Sequence, residues 1–144
     1  MTEKYPLDDT VSGLIQHALK LEKWNISVRD IEKLFSDSGL YAYPRKSHIV
    51  RKGEKSRDIY IICSGKVAIT RPMGPAVVHL VTLGPGDIFG EIALLHNGIR
   101  RASAVASEDS RIFRVACSDI QGLLKMNPAL AEHLTNLANQ RLAA

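Results

Sequence analysis

FGEIALLHNGIRRASAV, residues 89 to 105, sets a glycine, a carboxylate, a short apolar run and two adjacent arginines in one segment between β-type sequences. The turn GPGD precedes it, and Gly90 to Leu95 is too short for a core helix yet patterned as one or two helical turns. A helix N-terminus presents unpaired N–H groups and a partial positive charge, so Gly90 to Ala93 reads as an anion site, the glycine allowing close approach. In the strand that follows, alternation predicts Arg101, Ser103 and Val105 on one face and Arg100, Ala102 and Ala104 on the other. One arginine faces inward, Arg101 being the one that shares a face with apolar Val105, and its neighbour faces out. An inward guanidinium beside small residues requires an anion for its donors, and a phosphate supplies one bidentately. Glu91 would repel a bare phosphate, so it predicts a hydroxyl donor beside that phosphate, such as a ribose 2′-OH. The segment reads as a sugar-phosphate site.

Outward from it, SHIVRKG, DIYIICSG, KVAITRP, AVVHLVTLGPGD, RASAVAS and SRIFRVA are short β-rich runs separated by Gly, Pro, Asp and Ser turns. They predict an antiparallel, jelly-roll-like β roll, mainly β with flanking α-helices. Before them, Thr10 is placed to cap a helix carrying Val11, Leu14, Ile15, Ala18 and Leu19 on one stripe. A second helix is predicted over Val28 to Ser36, capped by Ser27, with Ile31, Leu34 and Phe35 inward and Gly39 after its end. After Ala116 the helical period returns in Ser118 to Leu124 and, behind Asn127-Pro128, in PALAEHLTNLANQRL, where Leu130, Leu134, Leu137 and Ala138 share a face. The expected organisation is one domain: a helical segment over 1–39, the roll over 40–117 with its cassette at 89–105, and a hinge-and-lid helical pair over 118–144.

The 144 residues, 45% hydrophobic and 24% charged, fit that single domain. No apolar run approaches the roughly 18 residues of a membrane span, and MTEKYPLDD lacks the features of a secretory signal, so a cytoplasmic location without membrane insertion is expected. Cys63 and Cys117 lie in apolar runs and are expected to be reduced, buried thiols. A net charge of +4 raises the question of nucleic acid. The basic cluster Arg45, Lys46, Arg51, Lys52, Lys55 and Arg57 straddles a turn, includes Glu54 and lacks stacking aromatics, so it reads as a solvated loop and no nucleic-acid partner is expected.

GPGDIFGEIALL followed by RRASAV resembles the phosphate-binding cassette of the cyclic nucleotide-binding domain family, and V-R-K-G-E with IYIICSGKVAI resembles its earlier strands. The likeness runs from about Leu40 to the C-terminus. It implies backbone contacts from Gly90, Ile92 and Ala93 to a cyclic phosphate, Glu91 on the ribose 2′-OH, Arg101 on a phosphate oxygen, and Ala102 beside the base, with Ser103 counted among the nucleotide-binding residues although its side chain is expected on the other face of the strand. Arg101 is selected because the family's arginine is usually followed four residues later by a valine, here Val105; counting from Gly90 instead selects Arg100. Ser56-Arg57 replace the family's commoner Gly-Asp, and Arg100 replaces a common proline. Leu134, Leu137 and Arg141 share a helical face from which one would cap the base, and ligand binding would move the C-terminal and N-terminal helices. Members that favour cGMP often carry Thr or Ser after the arginine; Ala102 therefore points to cAMP, with cGMP second.

The family's owners are cation channels, kinase regulatory subunits, exchange factors and transcription regulators. A chain ending at Ala144 reads as a stand-alone sensor or a domain excised from a larger protein such as a channel, which leaves the effector open. No enzyme and no cofactor beyond the nucleotide are expected. The histidines at 17, 48, 79, 96 and 133 have no metal-ligand spacing, His79 lacks the His-x-His partner of a cupin-type metalloenzyme, and no nucleophile-base pair or Walker loop is present. The remaining alternative is a non-binding interaction module on the same fold, with Glu91 a local cap and Arg101 a structural ion pair. The basophilic kinase pattern Arg100-Arg101-Ala102-Ser103 places its serine inward in mid-strand, which argues against phosphorylation.

Overall fold

The computed structural model describes residues 4–22 and 27–143. Helix α1 spans Asp9–Ala18, and its cap is Asp8, whose carboxylate accepts the Val11 N–H at 2.8 Å. The cap therefore lies two residues before the expected Thr10: Asp8 has extended backbone, Thr10 is already helical, and a carboxylate also complements the helix dipole. Helix α2 spans Val28–Leu34, with Ser27 and Asp30 in a reciprocal capping box. Ile31 and Phe35, one turn apart, take the buried stripe, so Leu34 at its edge is 43% exposed rather than inward.

Among the described residues eight strands follow: β1 Gly39–Tyr43, β2 His48–Val50, β3 Ile59–Ser64, β4 Val67–Met73, β5 Ala76–Leu83, β6 Ile88–Phe89, β7 Ser103–Ala106 and β8 Ser110–Val115. They form two four-stranded antiparallel sheets, ordered β1-β8-β3-β6 and β2-β7-β4-β5. The apolar run of β3 is continuous because both of its faces are buried. Tyr60 and Ile62 join Tyr43, Val67 and Leu83 inside the roll, while Ile59 and Ile61 join Ile15, Leu19, Ile31, Phe35 and Phe113 under the helices. Strands β1 and β6 are not among the six runs read from the sequence.

Between β6 and β7 lies the single-turn helix α3, Glu91–Leu95. After β8 come α4, Cys117–Met126, and α5, Pro128–Ala143. Leu130, Leu134 and Ala138 of α5 are fully buried, which lays the last turns of α5 against α3. Cys63 is buried, which pushes its thiol up to about 11, whereas Cys117 is partly exposed; both are free thiols. Among the described residues no helix is long and apolar enough to cross a membrane.

Candidate functional site

A cavity of about 1020 Å³ opens between the β4–β5 wall, the start of α3, residues 99–104 and the last turns of α5. Ile69, Val81, Leu83 and Phe89 give it apolar lining, and Gly90, Glu91, Ile92 and Ala93 line it as well. Among the described residues five cationic side chains line it, Lys52, Arg71, Arg100, Arg101 and Arg141, against the one carboxylate of Glu91. Such a cavity favours an anion with an apolar part.

Gly90 caps α3 in the left-handed region, φ 96°. A Cβ there would lie 2.8 Å from Arg100 Nη1 and 2.9 Å from the Asp58 carbonyl oxygen, so both conformation and space require glycine. The first-turn N–H groups of α3 have no partner within the helix.

The structure reverses the expected orientation of the two arginines. Arg100 is buried, 3% exposed, and Arg101 is exposed at the cavity mouth. Alternation fails here because β7 begins only at Ser103; Arg101 and Ala102 form a bend, and Ile99 is held in an isolated bridge to Lys55. Within β7, Ala104 and Ala106 face the roll core, Val105 is only partly buried, and the Ser103 hydroxyl accepts the Lys52 N–H at 2.9 Å.

Arg100 donates from Nη1 to Gly90 O at 3.1 Å and from Nη2 to Ser56 Oγ at 3.0 Å and Asp58 O at 2.7 Å, and its guanidinium lies 5.7 Å from the centre of the Tyr60 ring. Among the described residues three of its five N–H groups are thus used, and buried Nε has no partner. Burial lowers its pKa from the ordinary arginine value, opposed by Tyr60, Asp58, Glu54 and Glu91. A guanidinium remains charged in a protein, so this is a buried cation with two donors to spare. Ser56 and Asp58 are not among the site residues that the sequence leads one to expect. The only trace in the sequence was the departure from Gly-Asp at Ser56-Arg57.

Glu91 is 1% exposed, and its Oε1 accepts from Arg141 Nη1 of the last turn of α5. A buried carboxylate needs such a partner. Of the three lid candidates, Leu137 and Arg141 line the cavity. Leu134 does not: it is 0% exposed in the core beneath the helices, because α5 turns Leu130 and Leu134, one turn apart, to that side. Ala102 is partly buried and Ser103 buried, and both line the cavity. Among the described residues no group of His, Cys, Asp or Glu is arranged to hold a metal ion.

The sequence pattern of the cyclic nucleotide-binding domain matches residues 41–127, which span β1 to the end of α4 and include the whole cassette. The chain belongs to this family. As a cyclic nucleotide-binding domain it is similar to the cyclic AMP receptor protein of Thermus thermophilus, 38% identical over 101 residues, or 69% of this chain and 47% of that protein. It is also similar to a cyclic nucleotide-gated potassium channel of Rhizobium etli, 32% identical over 68% of this chain and 26% of the channel. The chain thus spans about half or less of the length of these curated relatives. Among solved structures, the Thermus thermophilus catabolite activator protein superposes with a TM-score of 0.69 at 32% identity, covering 83% of this chain and 56% of that one. The regulatory domain of Toxoplasma gondii PKA, solved with cAMP, shares the fold, with a TM-score of 0.73 at 20% identity over 90% of this chain and 49% of that one.

Proposed function

We propose that this domain senses a cyclic nucleotide, with cAMP preferred over cGMP, and regulates an attached or separate effector by moving α5. The observation that carries the reading is buried Arg100, held by three hydrogen bonds beside Gly90 and retaining two unpaired N–H groups. A cyclic phosphate would take those donors together with the backbone N–H groups at the start of α3, Ile92 and Ala93 included. This assigns the phosphate to Arg100, with Arg101 an exposed charge at the mouth. Glu91 would accept the ribose 2′-OH, and the base would lie along Ile69, Val81 and Leu83, near Ala102 and under Leu137. The names of the relatives, a cyclic AMP receptor protein and a cyclic nucleotide-gated channel, support the ligand class and leave the effector open.

The base preference rests on Ala102, which offers no hydroxyl to the guanine amino group, while the Ser103 hydroxyl already accepts the Lys52 N–H. One such bond contributes about 0.5 to 1.5 kcal/mol, so the preference for cAMP is roughly twofold to tenfold. Competition of cAMP and cGMP against a fluorescent cyclic nucleotide tests the reading directly. Wild type should bind both, cAMP more tightly, and Ala102→Thr should raise cGMP affinity while leaving cAMP affinity nearly constant. Binding of neither nucleotide would sink the proposal; tighter cGMP binding would sink the preference.

The switch is proposed to run through Glu91, which faces the ligand and is tied to α5 by Arg141. Loss of Arg141 leaves a buried carboxylate without its partner, so Arg141→Gln should weaken cAMP binding by about fivefold, the equivalent of roughly 1 kcal/mol. It should also remove the cAMP-dependent protection of residues 128–143 in hydrogen exchange. Deleting α5 is a poorer test, because it would strip Leu130, Leu134 and Ala138 from the core. Unchanged protection in Arg141→Gln would take the ion pair out of the switch.

A further inference from the structure

Asp58, the residue before β3, makes contacts in two directions. Its carbonyl oxygen accepts Arg100 Nη2 at 2.7 Å. Its carboxylate accepts the Cys117 N–H through Oδ1 at 2.9 Å and Arg114 Nε through Oδ2 at 2.8 Å. Cys117 is the first residue of α4, and the N-cap position, Ala116, has no side chain able to cap the helix. Helix α4 therefore borrows its cap from a residue 59 positions away, and a carboxylate at that end also favours the helix dipole. The side chain of Asp58 is only 19% exposed, and Arg114 beside it is held above the ordinary arginine pKa, burial being outweighed by the bond to Asp58 and its charge.

We infer that Asp58 is a positioning residue that joins the buried arginine of the cavity to the first turn of α4, so that what happens at Arg100 is felt where the C-terminal helices begin. The inference rests on the nucleotide reading for what occupies the cavity; the mechanical joint itself rests on the hydrogen bonds of Asp58. Arg100 holds the Asp58 carbonyl, the Asp58 carboxylate holds α4, and α4 leads into α5 through Asn127. An anion that draws on Arg100 changes the demand on that carbonyl and, through one residue, the seating of the α4 cap. This route is separate from Glu91–Arg141, which reaches the far end of α5.

Hydrogen exchange at residues 118–120 tests the joint in two arms. Without nucleotide, Arg100→Ala should speed exchange there by about fivefold or more, the lower range of couplings between sites, whereas Arg101→Ala should leave it unchanged. With saturating cAMP, wild type and Arg114→Leu should both slow exchange in this segment and Asp58→Ala should not, although both variants lose the same ion pair. Thermal melting checks that Asp58→Ala is folded; if it is not, the arm without nucleotide decides alone. Equal responses from Asp58→Ala and Arg114→Leu, or no effect of Arg100→Ala without nucleotide, would overturn the inference. Failure of calorimetry to detect cAMP binding to wild type would remove the nucleotide reading, and the Arg100→Ala and Arg101→Ala comparison would still decide whether Asp58 is the joint.

Discussion

Arg100→Ala should weaken cAMP binding by roughly tenfold to a hundredfold or more, because a hydrogen bond to a charged group contributes about 1.5 to 3 kcal/mol and two are at stake. Arg101→Ala should cost no more than about threefold, the scale of an exposed charge worth up to roughly 0.6 kcal/mol. The contrast follows from burial: one guanidinium is removed from water and held at three points, and the other is solvated at the cavity mouth. Arg100→Lys separates charge from geometry. An ammonium keeps the positive charge but cannot fork between a phosphate and the three acceptors behind it, so it should recover only part of the affinity. Calorimetric titration of the three variants with cAMP measures all of this. A damaging Arg101→Ala beside a harmless Arg100→Ala would mean that the arginines exchange roles on binding.

The β roll was legible because its signals are local. Turn residues separate the six runs that read as strands, though not β1 and β6, and the unbroken apolar run of IYIIC marks a strand buried on both faces. The cassette was legible because glycine, carboxylate and arginines fall within one short segment. The arginine register was not, since alternation holds only inside a continuous strand and the bend at Arg101 and Ala102 has no marker in composition. Leu134 departs from its expected place for a related reason: helical period identifies a face but not which of two neighbours it meets, and α5 lies between a core and a cavity. The roles of Ser56 and Asp58 were out of reach, because their partners lie 42 to 59 positions away and one acceptor is a backbone carbonyl. Pairwise polar geometry across strands leaves almost no local trace.

Gly90→Ala should do two kinds of damage at once. A residue with a Cβ at φ 96° pays about 1 to 2 kcal/mol for left-handed backbone, and overpacking against Arg100 Nη1 and Asp58 O adds about 1 to 3 kcal/mol. At roughly 2 to 4 °C per kcal/mol for a chain of this size, the melting midpoint should fall by about 5 to 15 °C. Affinity for cAMP should fall about as far as in Arg100→Ala, since the added methyl displaces the same guanidinium. Gly86→Ala is the control: its φ is 90°, but a Cβ there meets only Leu14 Cδ2 at 4.0 Å, so it should lose stability through the backbone alone and keep its affinity. The double variant separates cause from coincidence. If Gly90 acts by leaving room for Arg100, then Gly90→Ala combined with Arg100→Ala should bind cAMP no more weakly than Arg100→Ala alone, as non-additivity between contacting residues requires. Fully additive losses would mean that Gly90 serves the phosphate directly, through close approach of its own backbone, and that the seating of Arg100 is a separate matter.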